Sequence, residues 1–183
     1  MDDSNAIWSA LASLYDEPGV KDACLALQER NGVCVTALLT LICAAARGHG
    51  APHTPTVCDV VTISEAFEAD VMRPLRRARN GLREMSGKDG TAADLRAGLL
   101  NHELALERFL QDRILDVLSS RSALAHPQTP PVDTGTGTRR YLTALGIEPT
   151  SDVLDRLGPI LSAALPEAGS DAVIAAIAGD VQA

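Results

Sequence analysis

At 183 residues the chain has about the length of one ordinary domain, and its 46% hydrophobic and 22% charged content is that of a globular protein, not a disordered one. Sixteen basic residues against 24 acidic ones leave a net charge of −8, which opposes nucleic-acid binding by phosphate neutralisation. Only 3% of the chain is aromatic, so the core must come from Leu, Val, Ile and Ala, which suits packed helices better than a sandwich or barrel.

The opening residues lack a basic stretch ahead of an apolar one, and no leader peptide is expected. The longest uncharged run, residues 31–46, is too short to span a bilayer comfortably. With four cysteines expected as free thiols, the expected compartment is the cytoplasm.

Taken in chain order, the pattern predicts an all-α bundle of about six to eight helices. Ser4 is placed to cap a first helix with Ile7, Trp8, Leu11, Leu14 and Tyr15 on one face. Pro18 suits the first turn of a second helix, which Asn31-Gly32 ends. The run VCVTALLTLICAAA is apolar nearly all round and predicts a buried third helix. Residues 65–85 follow as a long helix in which Pro74 crowds the Asp70 carbonyl, so a kink or break is expected there. After a turn at 87–90, Thr91 and Asp94 imitate a capping box that opens a helix over 92–120. That helix has Leu95, Leu99, Leu106, Phe109, Leu110 and Val117 on one side. With Leu100, Leu104, Leu115 and Leu118 on another, it is expected at the centre of the bundle. The expected organisation is a main helical domain at 1–125, a Pro/Gly/Thr-rich connector at 126–138, and an Ala-rich extension of short helices at 139–183.

Few motifs carry chemistry. His49, His53 and Cys58 are candidate zinc ligands by residue type, but they lack a C-x2-C element and a dependable helical face, and no metal or other cofactor is expected. Asp133-Thr134-Gly135 spells an aspartic-protease triplet, yet no second copy exists to share a proton, and a turn is expected. His102 is expected as a core histidine. Glu103 and Glu107, one turn apart, suit arginines on a neighbouring helix.

Arginine supplies the strongest local anomaly. Arg73, Arg76, Arg77, Arg79 and Arg83 place five of 16 basic residues within 11 positions, enough guanidinium to clamp a carboxylate or phosphate. The bland alternative is a solvated face tied to Glu103 and Glu107. With no convincing nucleophile–base pair, metal set or phosphate loop in the sequence, the expectation is a non-enzymatic protein-interaction or adaptor role that uses this cluster, with an unknown protein or an acidic ligand as partner. A small-molecule or lipid-binding bundle, possibly an enzyme, is the alternative.

Three blocks carry a resemblance. They are Trp8…Leu14-Tyr15…Pro18-Gly19-Val20…Ala23-Cys24-Leu25-x-Leu27-Gln28…Gly32-x-x-Val35…Leu38-Leu39, then Val71-x-x-Pro74-Leu75-Arg76-x-x-Arg79, then Glu103-Leu104-x-x-Glu107-Arg108. Over residues 7–118 the chain resembles a family of uncharacterised proteobacterial proteins, a domain of unknown function. Phe67 stands where that family suggests Trp, and the segment after His126 looks like an extension. The resemblance implies a bacterial cytosolic helical domain and brings no established activity with it.

Overall fold

The computed structural model describes residues 2–85, 90–120, 127–168 and 170–178. Among the described residues nine α-helices run in the order α1 (Asp2–Tyr15), α2 (Val20–Asn31), α3 (Val35–Ala46), α4 (Thr54–Phe67), α5 (Arg73–Glu84), α6 (Thr91–Ser120), α7 (Pro130–Ala144), α8 (Ser151–Ala164) and α9 (Ser170–Ala178). A π-helical turn, Glu68–Met72, joins α4 to α5 in one rod, so continuous helices number eight. Apart from an isolated bridge at Pro52, no β structure occurs among the described residues.

The buried third helix is found as expected. Ten of the 12 residues of α3 are buried, and α1, α2, α6, α7 and α8 pack around it. Gly32, at φ 71°, ends α2 by turning the chain left-handed, and its N–H donates to the Gln28 carbonyl. Two predicted helix starts fall elsewhere. The helix is already running at Ser4, whose hydroxyl instead bonds Asp112 and accepts from Arg108 Nη2 at 2.9 Å, tying α1 to α6. Pro18 lies in the turn before α2, and Gly19, at φ 81°, takes the left-handed position that starts the helix. The turn expected at 87–90 falls mostly outside the described residues.

Pro74 does not break its helix. It lacks the N–H that would reach the Asp70 carbonyl, and the chain absorbs the misfit one turn earlier, where the Arg73 N–H donates five residues back to Glu68.

Helix α6 is central only in its second half. Leu110, Gln111, Ile114 and Leu118 are buried, whereas Leu95, Leu100, Leu104 and Phe109 are each more than half exposed. Length is the reason. Thirty residues rise about 45 Å, far beyond the 12 to 14 residues of α1 and α3, so the first half of α6 runs past the core with α5 beside it. His102, expected in the core, is exposed and contacts the Gly98 carbonyl at 2.7 Å.

Most of the segment expected as a connector is α7, a buried helix against α3 and α4. Pro130 and Pro131 stand in its first turn, where no intrahelical N–H is required. Its small residues fit close helix contact. A Cβ at Gly135 would lie 2.5 Å from the Ala176 Cβ of α9. The Asp133-Thr134-Gly135 triplet is therefore part of a helix interface, with Asp133 Oδ2 accepting from the Gln128 N–H at 3.0 Å. One buried apolar cluster runs from Ile7 in α1 to Ile177 in α9.

Candidate functional site

The π turn decides how the arginines are used. Residues eight apart on an α-helix sit about 80° apart, and taking up one extra residue brings them within about 20°. Glu68 and Arg76 are thereby stacked on one face, with Arg76 Nη1 donating to Glu68 Oε2 at 2.8 Å and Oε1 at 3.2 Å.

From the facing side α6 brings Glu103 and Glu107. Arg76 Nη2 donates to Glu107 Oε1 at 3.3 Å, and Arg76 Nε stands 3.9 Å from Glu103 Oε2. Arg79 Nε lies 2.7 Å from Glu103 Oε1, but the N–H is not aimed along that line, so the contact is ionic and not a hydrogen bond. The Glu103 side chain is only 7% exposed, which makes this contact the innermost of the network.

Arg73, Arg77 and Arg83 behave differently. They are exposed and make no ion pair among the described residues. The five arginines are thus two inward and three outward.

Above the inward pair opens a groove of about 490 Å³ between α1–α2 and the projecting α5–α6 hairpin. Trp8 and Tyr15 line it from α1, Lys21, Leu25 and Gln28 from α2, and Leu100 and Leu104 from α6. Four carboxylates, Asp16, Glu68, Glu103 and Glu107, share it with three cations, Lys21, Arg76 and Arg79. Burial pushes the Glu107 carboxyl above the usual carboxylate value, with Arg76 opposing and Glu103 and Glu68 adding to the rise. Burial likewise raises the Tyr15 phenol, with the nearby Glu107 carboxylate adding to the rise and Arg76 opposing it.

A larger cavity, about 710 Å³, lies between α1, α3 and α6. Its polar side chains contact one another or a neighbour: His49 Nε2 lies 3.0 Å from Asp3, Arg108 pairs with Asp112 at 3.5 Å, and Asp116 pairs with Arg113 at 3.3 Å. In the groove, by contrast, three carboxylates converge on one guanidinium group, that of Arg76. His49, His53 and Cys58 are not brought together, and among the described residues no three His, Cys, Asp or Glu side chains converge as a metal site.

Residues 6–114 match the model of a family described as a protein of unknown function (DUF2390). The chain belongs to that family. Every residue lining the groove falls inside the matched span, whereas α7, α8 and α9 lie beyond it. No curated protein and no solved structure matches the chain.

Sequence reasoning paired Glu103 and Glu107 with arginines and missed Glu68, because the eight-residue spacing to Arg76 works only through the π turn. Pro74 was the available signal. Trp8 and Tyr15, expected on the shared apolar face of the first helix, wall the groove.

Proposed function

We infer that the protein acts as a non-enzymatic interaction module, and that the outward face of α5 is its recognition surface for an acidic segment of a partner protein. One observation carries this reading. Arg73, Arg77 and Arg83 are left without acidic partners among the described residues on a chain of net charge −8. Arginine presents a planar fork suited to carboxylates, and unpaired guanidinium groups in an acidic protein form a local attractive patch.

The groove favours a second reading, small-molecule binding, because its volume and its mix of apolar and charged groups are those of such sites. Cytoplasmic location fits the four free cysteines, three of them buried. No helix among the described residues is long and apolar enough to cross a membrane.

Affinity capture from the native host tests the reading, with wild type compared against Arg73→Ala, Arg77→Ala and Arg83→Ala combined. The triple variant is expected to lose the captured acidic partner while keeping its thermal stability. Undiminished capture would refute it.

A further inference from the structure

The groove is a different place from the outward arginines, and its electrostatics run the opposite way. Its inner ring holds three carboxylates, Glu68, Glu103 and Glu107, against two guanidinium groups, Arg76 and Arg79. All three carboxylates lie within 4 Å of Arg76, so that one cation is shared three ways and one negative charge is left over. An anionic ligand entering here would meet arginines already engaged.

The walls point the same way. Trp8 and Tyr15 present aromatic rings, and Trp8 already takes one cation, with the Arg108 guanidinium carbon 5.4 Å from its ring centre. Along the groove, Leu25 is 37% exposed, Leu100 52% and Leu104 56%, which leaves apolar surface open to solvent. Glu107, whose carboxyl burial holds above its ordinary range, is the under-compensated member of the ring.

We propose that this groove binds an organic cation, an ammonium or guanidinium group on an apolar stem, with the charged head beside Glu107 and Glu103 and the stem against Leu25, Leu100 and Leu104. The shared chemistry is that of a free alkylamine and of a lysine or arginine side chain offered by a partner.

The chain's single tryptophan, Trp8, lines the groove and reports on it directly. Tryptophan fluorescence at neutral pH is titrated with hexylammonium, hexanoate and hexanol, which share a stem and differ in charge. Hexylammonium is expected to give a saturable change that hexanoate and hexanol do not. Glu107→Gln, checked for its helical circular dichroism, should weaken that binding by about tenfold or more, the loss of one charge-assisted contact. The variant lacking Arg73, Arg77 and Arg83 should bind hexylammonium as wild type does, which separates this site from the surface proposed above. An acetylated, amidated Leu-Lys-Leu peptide distinguishes the sources: tighter binding than hexylammonium assigns the groove to a protein side chain, weaker binding to a free amine. The proposal is overturned if neither cation gives a saturable change, or if hexanoate or hexanol matches hexylammonium. Loss of hexylammonium binding in the outward-arginine variant would overturn it too.

Discussion

Arg76 holds Glu68 at 2.8 Å, Glu107 at 3.3 Å and Glu103 at 3.9 Å, with its own side chain 26% exposed. Such a group stabilises the fold chiefly by preventing the cost of unpaired carboxylates, because desolvating charges is expensive and their attraction only offsets it. Glu107 shows that the offset is incomplete, since burial outweighs Arg76 and lifts its carboxyl above 4.5. A carboxyl whose pKa is raised by folding keeps its proton longer in the folded than in the unfolded state. Its contribution to stability is therefore lost as pH climbs from the ordinary value through the raised one. Urea unfolding across that window should show wild type losing stability relative to Glu107→Gln as pH rises above 4.5, with the difference levelling off once Glu107 is fully ionised. A difference that grows in favour of wild type with rising pH would contradict the burial of this carboxyl.

Helices α3, α6 and α7 show why some of the structure could be read from sequence and some could not. Around α3, hydrophobic content alone was sufficient: a run apolar on every side has to be buried, and Gly32 marks the end of the helix before it. The same logic failed on α6, because periodicity shows that leucines share a side and says nothing about whether a neighbour reaches them. It failed on α7 because proline, glycine and threonine are local turn signals, and here packing overrides them. Gly135 and Gly137 make this testable. Gly135→Ala would place its Cβ 2.5 Å from Ala176 and 3.0 Å from the Val173 carbonyl, an overpacking expected to cost about 1–3 kcal/mol. Gly137→Ala meets only the Pro52 side chain at 3.5 Å, an ordinary contact, and alanine is the better helix former by about 1 kcal/mol. Thermal unfolding should therefore show Gly135→Ala clearly destabilised and Gly137→Ala neutral or stabilised. Equal behaviour of the two would mean that α7 and α9 do not pack this closely.

For the whole molecule, the arrangement is a packed body with a helical hairpin, α5 and the first half of α6, reaching beyond it. α5 buries no residue, and its hold on the body comes through α6, the rod it continues and the ring around Arg76. The arginine cluster was visible in the sequence as a run of charge, and its acidic partners on α6 were expected. Its division into inward and outward sets was not, because that depends on which arginines α5 brings to the acidic residues of α6, a matter of tertiary packing. The division is what separates the part of the cluster that holds the hairpin from the part available for recognition. Comparing thermal unfolding of two variants tests it most directly. Arg76→Ala with Arg79→Ala leaves the buried Glu103 uncompensated and should lower the midpoint by about 5–10 °C, from a few kcal/mol at about 2–4 °C each for a chain of this size. Arg73→Ala, Arg77→Ala and Arg83→Ala together should leave the midpoint within about 1 °C of wild type, as exposed substitutions usually do. Equal losses in the two variants, or no loss from the inward pair, would contradict the division of the cluster.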